Sequence, residues 1–235
     1  MKDGNLREGV HVVTKLNCGF VHIPRTGGSS IRKALSNYSY LGDEGGHLSV
    51  ADLLADSQGG PKKHIFLNTF WFAFTRNPWD RFVSAHTYLK AQPDTKPGRL
   101  FNELIKPFRT FKDFVMNIDG PHVRNTLDVI AKTRGGGFSR YRRLATTNLF
   151  DHFAPQRLFT RDKHGSQILD FVGKFENLQK DFDVACEKIG VPACTLPITN
   201  TANRKPYQEY YDDESRKVIG WEYNGDIEEF GYSYD

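Results

Sequence analysis

Two segments of the chain share one pattern, in which an apolar run ends near a proline and a helix-forming segment follows. Residues 18–23 (CGFVHI) stop at Pro24, and the most apolar run of the chain, residues 65–74, is followed by Asn77-Pro78. Short apolar runs bounded by proline are typical of buried strands. Each segment therefore predicts a strand that leads through a turn into a helix.

Helical patterns follow both runs, over residues 29–35 and 80–89, and a third predicted strand at residues 168–175 precedes a helix over residues 178–189. Strands that alternate with helices in this order predict a parallel sheet. We expect an α/β fold whose mostly parallel central sheet is flanked by helices on both faces. Because the sequence contains no linker and no repeat, residues 1–235 are expected to form a single domain.

Three further helices are predicted from spacing and caps. A short helix is expected over residues 49–55, and a longer helical segment over residues 111–130, on both sides of Gly120-Pro121. A final amphipathic helix is expected over residues 212–230. The glycine-rich basic segment at residues 132–143 is interpreted as a loop, either solvated or able to attract an anionic acceptor.

Composition restricts the ligand and the compartment. The formal net charge is +4 and the pI about 8.9, a small basic excess that suits an anionic ligand. A nucleic-acid binder would have a denser stripe of basic residues. Cys18, Cys186 and Cys194 have neither disulfide-framework nor zinc-ligand spacing, which favours a reducing compartment. No apolar run is long enough to span a membrane, so we expect a cytoplasmic protein, with a luminal fragment of a membrane-anchored enzyme as the alternative.

The first strand–helix junction, residues 22–31 (HIPRTGGSSI), has the composition of an anion-binding turn. Amide groups at a helix start bind anions, and paired glycines let the backbone approach a ligand closely. The two serines add hydroxyl donors, and Arg25 adds a fixed cation. An ordinary capped helix after a tight turn is the alternative. The turn is not a Walker A loop, because Gly28 stands where that motif needs lysine, so a P-loop kinase is disfavoured.

The second junction supplies another cation and another hydroxyl. Arg76 follows the apolar strand, and Ser84 lies in the predicted helix beyond the turn. Because ligands bind at the carboxyl ends of parallel strands, the two junctions are expected to face one cleft. Two anion sites in one cleft fit a nucleotide with phosphates at the 5′ and 3′ positions. The alternative is that Arg76 pairs with Asp80 and has a structural role.

These residues resemble a known family. HIPRTGGSSI is similar to the 5′-phosphosulfate loop of sulfotransferases that depend on 3′-phosphoadenosine 5′-phosphosulfate (PAPS), and FTRNPWDRFVSAHTYL is similar to their 3′-phosphate motif. The carbohydrate-type branch, which includes heparan sulfate 2-O-sulfotransferases and bacterial relatives, resembles the chain over most of residues 19–232.

The resemblance implies a P-loop-like fold, no required metal, and in-line transfer of a sulfuryl group from PAPS to a hydroxyl of a carbohydrate or a small hydroxylated metabolite. It also implies that the first turn holds the 5′-phosphosulfate, the second junction holds the 3′-phosphate, and the NRKPY segment closes over the nucleotide. By position, the nucleotide-binding residues are Arg25, Thr26, Gly27, Gly28, Ser29, Ser30, Arg76, Ser84, Arg204 and Lys205.

A histidine is expected to remove the proton of the acceptor hydroxyl. His47, in EGGHLSVADL, lies in a segment that resembles the catalytic-histidine stretch of the 2-O-sulfotransferases, and we predict it as the general base. A surface histidine at a helix start is the alternative. His22 and His86 are interpreted as packing residues. His152 and Gln156 are predicted to border the acceptor pocket.

One departure from the family concerns Arg25, which stands where the family usually has lysine. Arginine is a planar fork, whereas lysine is a compact, rotatable charge, so the two are not equivalent at a bridging oxygen. Arg25 is still expected to act in catalysis by neutralising the leaving group. A nucleotide- or glycan-binding module without turnover is therefore the alternative function.

Overall fold

The computed structural model describes residues 10–13, 16–36, 38, 40–41, 68–91, 103–123, 152–162, 164–199 and 204–235. The chain divides into two compact units, one formed by Met1–Arg76 with Gln156–Thr201 and one by Asn77–Pro155 with Ala202–Asp235. The single-domain prediction stays a prediction. The predictions for residues 49–55 and 132–143 fall outside the described residues.

The first unit is built on a five-stranded sheet of order β3-β1-β2-β4-β5. Its strands are β1 (Val10–Val13), β2 (Cys18–Val21), β3 (Tyr40–Leu41), β4 (Phe70–Thr75) and β5 (Phe171–Lys174). The three strands β2, β4 and β5 run parallel, with Phe20 opposite Phe72 and Phe72 opposite Phe171. This sheet confirms the predicted α/β class. The antiparallel edge formed by β1 and β3 was not predicted.

One face of the parallel strands carries the core of this unit. Phe20 of β2 packs on Phe72 of β4, with ring centroids 5.3 Å apart, and Phe74 lies next to both. Helix α1 (Gly28–Ala34) contributes Ile31 to the same buried cluster, which also contains Phe182. On the other face, Gly19 leaves room for the ring of Trp71, because a Cβ atom there would lie 2.2 Å from it.

The helix that follows β5 matches the sequence pattern closely. A short helix, α2 (Arg157–Thr160), precedes the strand, and α3 spans Leu178–Ile189, the range predicted. Gly190 ends α3 with a φ of 73°, a left-handed conformation that favours glycine. The strand itself is shorter than the predicted residues 168–175.

The second unit is helical. Helix α4 begins at Pro78, two residues before the predicted start, because the Asn77 side chain accepts a hydrogen bond from the Trp79 amide at 3.1 Å and proline fits the first helical position. The longer described helices of this unit are α4 (Pro78–Lys90), α5 (Phe111–Met116), α6 (Asp213–Glu222) and α7 (Asn224–Phe230).

Two predicted helices of this unit differ from the structure. The final one is divided into α6 and α7 at Tyr223, where the backbone leaves the helical range with φ of −106° and ψ of 22°. Tyr223 is buried, and its hydroxyl donates to the carbonyl of Phe153. The segment predicted over residues 111–130 has its first helix end at Met116, and residues beyond 123 are outside the described range. The core of the unit is aromatic, with Phe82 packed between the rings of Phe114 and Phe153.

Candidate functional site

The turn after β2 has an unusual backbone. Arg25 and Gly27 both have positive φ angles, 68° and 86°, and α1 begins at the next residue. The Thr26 hydroxyl donates to the carbonyl of Ile23 at 2.9 Å, and the Gly27 carbonyl accepts from the Ser30 amide at 3.0 Å. These bonds fix the turn. Arginine is rare in the left-handed region, so the structure holds Arg25 there against a local cost.

Each glycine of the turn is required for a different reason. Gly27 needs its left-handed φ, and a Cβ atom there would also lie 2.7 Å from the Leu178 side chain. Gly28 has an ordinary helical position, but a Cβ atom there would lie 1.9 Å from the ring of His22. The His22 ring is buried and stacks on Phe20 at 5.9 Å, which confirms it as a packing residue.

Ser30, one of the predicted phosphosulfate residues, is joined to a distant part of the chain. Its hydroxyl lies 2.8 Å from the hydroxyl of Thr199, which is 169 positions later. Thr199 was missed in the sequence, where it carries no motif of its own. Ser29 is half-buried in the first turn of α1.

Arg76 lies at the end of β4 and reaches the turn. Its guanidinium carbon sits 3.9 Å from the centre of the Phe175 ring, and its Nη1 donates to the Arg25 carbonyl at 3.0 Å. The side chain is buried, with the residue 7% exposed. The structure therefore brings the Arg76 guanidinium to the backbone of the turn that carries Arg25, so the two separate motifs meet at this contact. Phe175, the stacking partner, was not predicted.

The two residues predicted at the acceptor pocket have different environments. Gln156 is fully buried, and its side-chain amide bonds the backbone of Arg76 through both of its polar atoms. His152 belongs to the second unit and stacks on Tyr88, with ring centroids 5.3 Å apart and an interplanar angle of 11°. Their role with an acceptor stays a prediction, although the contacts of Gln156 give it a separate structural task.

The remaining predicted nucleotide residues belong to the second unit. Ser84 is buried on α4. Arg204 forms an ion pair with Asp80 of α4, and both side chains are largely buried, 14% and 15% exposed. Lys205 is exposed and pairs with Glu209 at 3.1 Å. Arg204 is thus an ion-pair partner of Asp80, and the alternative that Arg76 pairs with Asp80 stays a prediction.

Several titratable groups have pKa values that exclude them from acid–base work near neutral pH. Burial, with a smaller contribution from Lys90, lowers the pKa of His86 to about 4. Its ring packs against Phe111 and Phe114, which confirms it as a packing residue. Burial raises the pKa of Cys18 and of Cys186 to about 11, so both thiols stay protonated and unreactive.

His47, the predicted base, lies outside the described residues. Among the residues that are described, no three histidine, cysteine, aspartate or glutamate side chains gather as a metal site would require. Within the same residues, every helix is too short or too polar to cross a bilayer.

The parallel sheet, with the glycine turn at the end of β2 and Arg76 at the end of β4, defines an α/β protein. Comparison with protein families identifies it further: the model of the Sulfotransferase family matches residues 20–233. The chain belongs to the Sulfotransferase family, as its motifs indicated, and sulfuryl transfer is the activity of that family. Searches of the curated proteins and of the solved structures gave no significant match.

Proposed function

We propose that the protein transfers a sulfuryl group from PAPS to a hydroxyl of a carbohydrate or a small hydroxylated metabolite. The observation that carries the proposal is the contact between Arg76 and the Arg25 carbonyl, which joins the end of β4 to the turn after β2 within the first unit. Membership of the Sulfotransferase family supports the reaction type.

The residues of the first turn suit the 5′ end of such a nucleotide. Gly27 gives the backbone its left-handed turn, and Ser29 and Ser30 carry hydroxyl donors at the start of α1. Amides at a helix start and nearby hydroxyls stabilise an anion without bulk. We assign the turn from Arg25 to Ser30, with Thr26 and Gly28 included, to the 5′-phosphosulfate.

The 3′ end requires a second cationic group. Arg76 has a planar guanidinium, a group that binds phosphate through several N–H donors, and its Nη1 donates to the Arg25 carbonyl of the first turn. We assign the 3′-phosphate to Arg76 and Ser84. Arg204 and Lys205 are proposed to close over the nucleotide, with Arg204 held by Asp80.

When bound, PAPS supplies the sulfuryl group and leaves as 3′-phosphoadenosine 5′-phosphate (PAP). Arg25 is proposed to stabilise charge on the leaving group, because a fixed cation near developing charge lowers the barrier. His47 is proposed to accept the proton of the acceptor hydroxyl, a role for a neutral imidazole near neutral pH. No step in this scheme needs a metal ion.

A binding module without turnover is the second candidate. Arg25 supports it, because this arginine stands where the family usually has lysine and occupies a left-handed backbone position with φ of 68°. Arginine at position 25 would still allow nucleotide binding, whereas catalysis requires its guanidinium to reach the bridging oxygen.

We further propose a reducing, cytoplasmic setting. Cys18, Cys186 and Cys194 are all free thiols, as expected where disulfides do not persist.

The proposal is tested by calorimetry with PAP and, separately, with ATP and magnesium. We expect PAP to bind without metal and in preference to magnesium ATP. A preference for magnesium ATP would overturn the sulfotransferase proposal in favour of a kinase.

An assay of transfer from labelled PAPS to a panel of hydroxylated acceptors then distinguishes an enzyme from a binding module. In the same assay, His47→Ala should lower turnover far more than it lowers the affinity for PAP. Wild-type turnover in that variant would remove His47 as the base.

A further inference from the structure

Gln156 makes a paired contact with the backbone of Arg76. Its Oε1 accepts from the Arg76 amide at 2.8 Å, and its Nε2 donates to the Arg76 carbonyl at 2.8 Å. The two residues are 80 positions apart in the chain and belong to the same compact unit. Gln156 is fully buried and Arg76 is 7% exposed.

The contact completes the sheet where strand pairing stops. The last paired position between β4 and β5 joins Thr75 to Lys174, so Arg76 lies one residue beyond the ladder. Its peptide is buried, and a buried peptide group without a partner costs free energy. The primary amide of Gln156 offers one donor and one acceptor side by side, as a neighbouring strand would.

Gln156 is itself held firmly. Its carbonyl accepts from the Phe159 amide at 3.0 Å, which fixes it at the start of α2. Phe159 and Thr160 of that helix are fully buried. A rigid residue therefore sets the position of the Arg76 peptide.

The peptide position matters because the Arg76 side chain has two further contacts to satisfy. Its guanidinium lies over Phe175 at 3.9 Å and donates to the Arg25 carbonyl at 3.0 Å. A shift of the Arg76 peptide would move the guanidinium relative to both. The geometry of the cation thus depends on Gln156 as well as on the ring beneath it.

We propose that Gln156 is a positioning residue of the nucleotide site, which acts through Arg76 and does not contact the acceptor. The inference rests on the proposed function, since it gives Arg76 a nucleotide phosphate to bind. It differs from the role at the acceptor pocket that was predicted for Gln156 from the sequence, which stays a prediction.

Two variants and one control test this role. Gln156→Met keeps the length of the side chain but has neither donor nor acceptor for the Arg76 peptide. Gln156→Glu keeps the shape and loses the donor when ionised, but regains it when protonated. Gln179→Met is the matched control, because the Gln179 amide also bonds two backbone groups of the same unit, the Cys194 carbonyl at 3.0 Å and the Leu196 amide at 2.8 Å.

Calorimetry with PAP provides the main readout. We expect Gln156→Met to raise the Kd for PAP roughly tenfold or more, because the Arg76 peptide loses both hydrogen bonds to Gln156 and Arg76 can shift. Gln179→Met should leave the Kd within about twofold of wild type, as is usual for exposed positions. For Gln156→Glu, the ratio of its Kd to that of wild type should fall as the pH is lowered, because the protonated carboxyl again donates to the Arg76 carbonyl. A merely structural role would not produce that pH profile in the Kd ratio.

Two results would overturn the positioning role. One is a folded Gln156→Met protein with the PAP affinity of wild type, and the other is a Gln156→Glu ratio that does not change with pH. Amide hydrogen exchange at Arg76 gives a readout without nucleotide: exchange should be faster in Gln156→Met than in Gln179→Met. Equal exchange at Arg76 in the two variants would show that Gln156 does not hold the Arg76 peptide, even in a protein that binds PAP. If the wild-type protein fails to bind PAP while Arg76 exchange is still faster in Gln156→Met, the proposed function is contradicted. The structural part of the inference, that Gln156 holds the Arg76 peptide, would still be supported.

Discussion

The two glycines of the turn after β2 are adjacent but answer to different physical requirements. Gly27 supplies a backbone conformation, with φ of 86°. Gly28 supplies space, because the His22 ring lies where a side chain would begin. A side chain at either position is therefore expected to destabilise the protein. Only the loss at Gly28 should be reversible by a second substitution elsewhere.

We predict that Gly28→Ala destabilises the protein by about 1–3 kcal/mol, because the new methyl group collides with the His22 ring and the packed surroundings yield little. It should also weaken PAP binding, since the turn would shift. The double variant Gly28→Ala with His22→Ala should recover part of both losses, because the ring is gone. Urea unfolding and PAP calorimetry measure the two effects.

Gly27→Ala with His22→Ala is the control for that rescue. The alanine at position 27 would still have to adopt a left-handed φ and would still approach Leu178. No recovery is expected there. Equal recovery in both double variants would contradict the assignment of Gly28 to steric fit.

At the residue scale, the sequence predicted which side chains belong to the two junctions but not what holds them. Arg25 and Arg76 were predicted from local motifs, and the structure joins the Arg76 guanidinium to the Arg25 carbonyl. Their supports, Phe175 and Gln156, lie far along the chain from Arg76 and have no motif that links them to it. Such partners are determined by tertiary packing, which a local pattern does not contain.

Among the elements, local signals predicted boundaries well where one residue ends the element. The bounds of α3 were predicted correctly, because its amphipathic pattern stops at Gly190, which takes a left-handed conformation. The predicted final helix was wrong in its continuity, because the backbone at Tyr223 leaves the helical range with φ of −106° and ψ of 22°. The edge strand β3, with two residues, is too short for a period to be recognised.

Helix α4 contains a histidine whose protonation should oppose folding. Burial and Lys90 lower the pKa of His86 to about 4 in the folded protein, against an ordinary value of 6.5. The unfolded chain therefore binds a proton more readily than the folded one between these values. Its contribution to stability is fully present above pH 6.5 and is lost as the pH falls towards 4.

We predict that the unfolding free energy of wild type falls between pH 6.5 and 4 more steeply than that of His86→Phe. The difference should amount to about 1–3 kcal/mol across that window, since each pKa unit corresponds to about 1.4 kcal/mol. Phenylalanine suits the site, which is lined by the rings of Phe111 and Phe114. Urea unfolding at a series of pH values measures both curves. Parallel curves would show that His86 does not titrate as its burial predicts.

For the molecule as a whole, residues far apart in sequence fix the functional segments. Within the first unit, Ser30 bonds Thr199, 169 positions away. In the second unit, the Asn77 side chain donates to the Ser233 carbonyl at 2.7 Å, 156 positions away. The segments predicted to bind the nucleotide thus depend on the last part of the chain. Pattern reading places such segments on elements but cannot pair them, because pairing is set by the full topology.

The ion pair between Asp80 and Arg204 is a third such contact, 124 positions apart, and its energy can be isolated. Both side chains are largely buried, so removing one charge leaves the other without its partner in a poorly hydrated place. Asp80→Asn and Arg204→Met should each destabilise the protein by about 2 kcal/mol, whereas the double variant should cost less than their sum. Chemical unfolding of the four proteins measures the coupling. Lys205→Met is the control for stability, because it removes an exposed ion pair and should leave the unfolding free energy unchanged.

If Arg204 also closes over the nucleotide, Asp80→Asn should in addition weaken PAP binding. Additive losses in stability would show that the pair contributes no coupling, and Arg204 would then be free to serve the nucleotide without Asp80.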